Sequence, residues 1–569
     1  MKIIKLMNGL KKFIVIMLLF SIVQVFCELY LPDIMSDIVD IGIKNDDTTY
    51  IVYKAILMLG VSIICLGSNV LVVFSTSKFS NQYGYKIRHA LYSKINTFSK
   101  KEIDSFGAST LITRSTNNVS NITSTFSFGL RLILFAPIMG LGAAIMGYKA
   151  APNLAHIVVI AVLVLMFFLI LIFSLVFSKF ELIQKLLDKL NASTREILSG
   201  LRVIKAFNKQ DYFNKRFAKV NKDNMELNIF LNKILYLIQP VMILTINIAT
   251  IVIVWVSTKY LELGTLEIGS MMAFIQYMAT VLISFLMLLV IILNIPRVLV
   301  SFRRINEVLD AEVSIENTGS IKLTKLESIE FKNVYFKYDG AEDYMLKNIN
   351  FRIEHGQNIG IIGSSGSGKT TIINLLLRHL DVTEGEILIN GINIQEYDIT
   401  SLRNIFAYTP QKTLLFKGSV RENLIFDSKV SNNVLDTVLR EADVKEFIDK
   451  TKEGYEYKVE QSATNLSGGQ KQRISIARAL LSGGECLLFD DSFSAVDYIT
   501  DKKIRDYLKK DYADKMILLV TQRVGTIRES DKIIVLEEGK IESIGNYEYL
   551  EKNSPVFKEF IKSQQREVL

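Results

Sequence analysis

Gly363-Ser364-Ser365-Gly366-Ser367-Gly368-Lys369-Thr370 is the stretch from which the rest of the chain can be read. It fits G-x-x-x-x-G-K-[ST], and its surroundings agree: 357–362 is a short apolar strand, and 371–380 has helical character. Glycines let successive backbone N–H groups turn inward around a phosphate, and the N-terminus of the following helix favours negative charge there. Lys369 is expected to reach the outer phosphates and Thr370 to offer its hydroxyl to Mg²⁺. Thr371 completes the cradle.

Further along, Cys486-Leu487-Leu488-Phe489-Asp490-Asp491 describes a buried strand ending in acid, about 120 residues after the loop. Such a strand delivers a carboxylate to its C-terminal edge, and Asp490 is placed to hold the cation's shell. Between the two lies Leu466-Ser467-Gly468-Gly469-Gln470, followed by an apolar helix. Two glycines at a helix opening make a second anion-binding end.

The first 300 residues are of another kind. Apolar runs at 12–31, 53–76, 126–148, 154–177, 234–258 and 269–295 are each long enough to cross a bilayer as a helix. Helix is obligatory there, because lipid offers no partner to backbone polar groups. No small-residue cleavage site follows the first run, so it reads as an uncleaved span. Lys2, Lys5, Lys11 and Lys12 precede the first span. Lys86, Arg88, Lys94, Lys100 and Lys101 follow the second, and Lys185, Lys189, Arg195 and Arg202 follow the fourth. That distribution places the N-terminus, both long connections and the remainder of the chain in the cytoplasm of a multi-pass protein of the cell membrane. The long connections keep an apolar stripe at helical spacing, as around 180–190, and read as helices projecting past the bilayer.

Composition agrees with this division. The chain has 569 residues, half of them apolar, a mean hydropathy of +0.29 and a net charge of +8. It is too apolar for an ordinary soluble protein and too charged to lie wholly in membrane. The basic residues collect beside spans, which argues for membrane topology rather than nucleic-acid binding. Cys27, Cys65 and Cys486 lack metal-ligand spacing and read as single buried thiols. Few polar residues interrupt the spans; Gln24, Glu28, Asn294 and, near a membrane end, Arg131 are among them. Glu28 is the costliest to place in lipid and fits either a cationic cargo or a partner on a neighbouring helix.

The three motifs, in this order over the last 250 residues, resemble the nucleotide-binding domain of ABC transporters. Preceded by six spans, the whole chain is similar to a half-transporter of the exporter type. The resemblance implies an all-α polytopic membrane domain over 1–319, with six transmembrane helices. An α/β P-loop ATPase domain with a helical subdomain follows over 320–569. It implies ATP and Mg²⁺ as cofactors and a second half-transporter as partner. Leu466, Ser467, Gly468, Gly469 and Gln470 look like the family's signature. Tyr338 looks like the aromatic that stacks on adenine, and Gln411 like the glutamine that touches Mg²⁺ and senses the membrane part. Residues 494–497 resemble the dimer-contact loop, while 114–122 and 200–207 resemble stretches at or near the coupling helices.

Two positions depart from the family pattern. Asp491 stands where the family usually has Glu, one methylene too short to polarise the attacking water well. Gln522 stands where a His is usual, and an amide cannot become cationic or relay a proton as imidazole does. Residues 460–465 also lack an expected glycine. With the signature intact, this pattern resembles the degenerate-site subunit of heterodimeric multidrug exporters, a place of slow hydrolysis; the largely apolar lining of the spans suits small amphiphilic, drug-like or lipid-like cargo. A homodimeric exporter, an importer with the exporter fold, and an ATP-gated channel are the competing expectations.

Overall fold

The structure is a computed structural model that describes residues 2–426 and 428–566. Its contacts form two compact units: residues 1–96 with 108–311, and residues 97–107 with 312–569. The division falls at 311/312, just past the end of a long helix at Asp310, eight residues before the boundary expected from the sequence.

Among the described residues, the first unit contains six helices long and apolar enough to span a membrane: Lys11–Ile43, Thr48–Ile95, Ala108–Ala150, Pro152–Val176, Gln210–Glu262 and Ile268–Leu288. They coincide with the six apolar runs. Side chains such as Leu66, Phe167, Ile251 and Trp255 are exposed on them, as expected where the surrounding solvent is hydrocarbon. The helix Thr48–Ile95 has 48 residues. At 1.5 Å per residue it is about 72 Å long, more than twice a bilayer's hydrocarbon core. The expected projections past the membrane are therefore continuous extensions of the spans.

Buried polar groups hold the spans in register. Asp40, in a π-helical turn over Ile38–Ile43, accepts from the backbone N–H groups of Gly269 (2.5 Å) and Ser270 (2.9 Å), at the start of the sixth span. It thus caps a neighbouring helix, supplying acceptors its first turn lacks. Only glycine fits at 269, since a Cβ there would lie 2.5 Å from the Ser36 carbonyl and 2.7 Å from Asp40. Glu28 has partners within the unit. It accepts from the Gln24 amide at 2.9 Å and lies 3.8 Å from the Cys65 thiol on the next helix. The Asn294 side chain is outside the described residues.

The second unit is built on a six-stranded sheet. Its order is Lys540–Gly545, Lys532–Glu537, Asn358–Gly363, Met516–Thr521, Cys486–Asp490 and Phe406–Thr409. All neighbours are parallel except the first pair. The central strands are buried on both faces, which explains why 486–490 and 516–521 read as unbroken apolar runs. A second, antiparallel sheet runs Leu346–Glu354, Ser328–Phe336, Glu384–Ile389, Ile392–Asn393. Helices Asn432–Glu441, Lys445–Asp449 and Gly468–Leu481 form the helical subdomain.

The segment 97–107 is the part of this unit that arrives from elsewhere in the chain. Its helix Lys100–Phe106 opens on a capping box, Ser99 with Glu102. Glu102 also accepts from the Ser314 backbone N–H at 3.1 Å, and Lys101 pairs with Asp339 at 2.6 Å. The isolated short helix of the first long connection is therefore 100–106. Within 114–122, residues Arg114–Asn118 form a π-helical turn inside the long helical stretch Ala108–Ala150, and within 200–207, residues Leu201–Ala206 form a short helix.

Candidate functional site

Four adjacent parallel strands end along one edge of the sheet. Asn358–Gly363 leads into the glycine loop, Phe406–Thr409 toward Gln411, Cys486–Asp490 to Asp490 and Asp491, and Met516–Thr521 to Gln522. The register pairs Ile362 with Thr521, Val520 with Asp490, and Phe489 with Thr409, so the four strand ends are level. Residues far apart in sequence thus meet at the carboxyl ends of the strands, where open α/β sheets bind ligands.

The glycine loop needs its glycines. Gly366 (φ +82°) and Gly368 (φ +98°) occupy the left-handed region, and a Cβ at Gly363 would approach the Leu536 carbonyl to 2.4 Å. Lys369 opens the helix Lys369–Leu376, and its ammonium donates to the carbonyls of Gly363 (2.8 Å) and Ser364 (2.7 Å). Burial pushes its pKa down, while Asp491 and Asp490 oppose that shift. The ammonium therefore sits on the lip of the loop, ready to exchange two carbonyls for phosphate oxygens.

Thr370 Oγ1 donates to Asp490 Oδ1 at 3.0 Å. The second oxygen of Asp490 is buried with no hydrogen-bond partner among the described residues. A buried orphan acceptor beside a hydroxyl is the donor chemistry of a hard divalent cation. Burial raises the Asp490 pKa to about 6, with Asp491 adding and Thr370 opposing. Asp491 (φ +50°) is likewise raised by burial, against hydrogen bonds from the Gln411 side chain and the Gln522 backbone. Ser365, Gly366, Gly368, Lys369, Thr370, Thr371, Gln411, Asp490, Asp491 and Gln522 line one cavity of about 160 Å³. Tyr338 shares a hydrogen bond with Thr371 at 3.1 Å, which brings the aromatic to the same helix.

Leu466 to Gln470 lines neither this cavity nor the larger one of about 870 Å³ beside it, which Gly363, Ser364, Asp491 and Gln522 border. Ser467 caps the helix Gly468–Leu481 through a capping box with Gln470, leaving the opening glycines at the tip. The glycine missing before the signature has a structural counterpart. Ser462 (φ +58°) and Ala463 (φ +52°) both adopt the left-handed region without being glycine, at a cost of about 1–2 kcal/mol each. Ser462 is exposed, so Ser462→Gly should raise stability by about 0.5–1 kcal/mol after the glycine's own entropy is subtracted. An unchanged or lowered unfolding midpoint would contradict this.

Two further residues build the site that the motifs alone do not reveal. Gln472 accepts from the Ala495 backbone N–H at 2.8 Å and donates to Ser494 Oγ at 3.1 Å, tying the signature helix to the loop after Asp491. Arg523 donates to the carbonyls of Phe493, Ser494 and Val496 (3.2, 2.6 and 3.0 Å), tying that same loop to the segment carrying Gln522. Neither follows a sequence period; the Ser99–Glu102 capping box, by contrast, is visible as S-x-x-E.

Comparison with known proteins agrees with this geometry. A family model described as ABC transporter matches residues 346–494, and one described as ABC transporter transmembrane region matches 14–285. An uncharacterised ABC transporter ATP-binding protein of Mycobacterium tuberculosis is 32% identical over 561 residues, covering 97% of this chain and 96% of that protein. One from Bacillus subtilis is 30% identical over 552 residues, covering 96% of each. A putative export ATP-binding/permease protein of Rickettsia typhi is 28% identical, covering 99% of each. The fold matches that of a bacterial Atm1-family ABC exporter solved with ATP bound, at a TM-score of 0.81 and 22% identity, over 98% of this chain and 99% of that one.

Proposed function

The chain belongs to the ABC transporter family, and we propose that within it this protein forms the slowly hydrolysing half of a heterodimeric exporter of amphiphilic compounds. It is a half-transporter: a multi-pass membrane protein with a cytoplasmic ATP domain, which acts as an ATP-hydrolysing transporter together with a second ABC subunit.

The observation that carries the heterodimer reading is the pairing of Asp491 and Gln522 at one cavity with an intact signature that borders neither cavity. The short Asp491 carboxylate accepts a hydrogen bond from the Gln411 side chain, and Gln522 offers an amide where a proton relay needs a titrating ring. Each substitution weakens the positioning of water against the outer phosphate, the main contribution a protein makes to phosphoryl transfer. The signature serves the partner's nucleotide, and the partner's signature serves this one. Measuring ATPase of the chain alone and with its natural partner tests this. Slow turnover alone and fast turnover in the pair are expected; brisk turnover alone, indifferent to Asp491→Asn, overturns it.

We assign Mg²⁺ to the Thr370, Asp490 and Gln411 oxygens. When bound it neutralises charge on the outer phosphates. Lys369 then carries the ammonium contact, and Tyr338 offers its ring to the base. Because protonated Asp490 cannot serve as a ligand, Mg²⁺-dependent nucleotide binding should be full above pH 6. It should weaken about tenfold per unit as pH falls below that value. A titration of binding against pH that stays flat from 7 to 5 contradicts the assignment.

The cargo reading rests on the membrane unit. A cavity of about 330 Å³ there is walled by Phe126, Phe128, Leu132, Ile133 and Leu299, with Ser124 and Thr125 as its hydroxyl groups. An apolar wall with few polar groups suits an amphiphile.

A further inference from the structure

The helix Pro555–Arg566 is assigned no role by any motif, yet it reaches the segment that carries Gln522. Its apolar face is Phe557 and Ile561, both buried in the core cluster that also holds Phe489, Val524 and Ile527. Ser554 fixes its start, accepting from the Phe557 N–H at 3.1 Å and donating to Glu542 at 2.7 Å. Gln564 stands at the next position on the same face, seven residues from Phe557. Its amide brackets the switch segment: Oε1 accepts from the Val524 backbone N–H at 2.9 Å, and Nε2 donates to the Gln522 carbonyl at 2.6 Å. Only one orientation of the amide satisfies both, so the contact is directional. Gln564 also borders the cavity that Gly363, Asp491 and Gln522 line.

We propose that Gln564 is a positioning residue for ATP hydrolysis in this chain: it clamps residues 522–524 and thereby sets where the Gln522 side chain points. Strand Met516–Thr521 is held by neighbours on both sides, but its exit is free of the sheet. Arg523 and Gln564 then hold that exit to two different elements, one to the Phe493–Val496 carbonyls and one to the helix. A switch residue that lacks a ring to titrate depends on placement alone, and misplacement by about 1 Å is enough to slow a reaction severely.

This rests on Gln522 being the switch residue, so Gln522→Ala is measured beside Gln564→Ala. The full chain, in native membranes with its partner, is photolabelled with 8-azido-ATP carrying the label on the α- or the γ-phosphate. Loss of γ-label relative to α-label on this chain's band reports hydrolysis in its own pocket. Gln564→Ala should slow that loss about tenfold while the concentration for half-maximal labelling stays within about twofold. Hydrogen exchange should rise at the amides of 522–526 and not in 516–521. The double variant should be no slower than Gln522→Ala. The clamp is overturned if Gln564→Ala leaves the rate unchanged while Gln522→Ala slows it, if the two losses add, or if exchange rises through 516–521. If Gln522→Ala itself has no effect, the switch reading fails and the clamp with it.

Discussion

Gly469→Asp should lower total ATPase of the assembled transporter about 100-fold while leaving nucleotide bound to this chain's own phosphate loop. Gly469 lies in the first turn of the helix Gly468–Leu481, whose N-terminal end is where phosphate oxygens of the partner's nucleotide are expected to be received. A carboxylate there opposes that charge directly. A Cβ at 469 would also stand 3.0 Å from the Ala495 carbonyl, so the added side chain pushes on the 494–497 loop. Loss of one preorganised electrostatic contact of this kind costs about two to three orders of magnitude in turnover. Two measurements decide the matter: steady-state ATPase of the pair, and 8-azido-ATP labelling of this chain's band. A parallel loss of both would mean that signature and phosphate loop act on the same nucleotide, which contradicts the split assignment.

Asp491→Glu combined with Gln522→His should raise hydrolysis at this chain's own pocket by about 100-fold. The two residues share one cavity with Lys369 and Thr370. The carboxylate of Glu extends one methylene further than that of Asp491, which hydrogen-bonds to Gln411, and imidazole can hold and pass a proton near neutral pH. General-base and relay groups contribute about 10²–10⁴ in rate when both are in place. Either change alone should recover far less, because the two groups act on one water and their effects are not additive. The γ-label loss from this chain's band measures it. A double variant as slow as the unaltered chain would show that the slowness lies elsewhere, with the turn at Ser462 and Ala463 the next place to look.

The residues of the site were legible because each motif is contiguous. The glycine loop, the strand ending in Asp490 and the signature each carry their own local physics: left-handed turns, a buried strand, a helix opening. Periodicity of about 20 apolar residues likewise located all six spans. Where the local signal is weak, the sequence says less. The stretch 114–122 carries no sign of the π-helical turn Arg114–Asn118, and the short helix Lys100–Phe106 is signalled only by its capping box.

What the amino-acid sequence determined by itself was which side chains are available for nucleotide along the glycine loop, the acidic strand end and the signature, and that Asp and Gln stand at 491 and 522 where the family usually has Glu and His. These are properties of residue type at fixed spacing, and they do not depend on neighbours from elsewhere. Only the tertiary structure decided what holds those side chains. The Gln472 and Arg523 contacts to the 493–496 loop and the Gln564 bracket on 522–524 join positions between about 20 and 40 residues apart. Such contacts follow from strand order, which places four loops on one edge of the sheet. No local period encodes that order; it emerges only when the parallel strands, buried on both faces, find their neighbours.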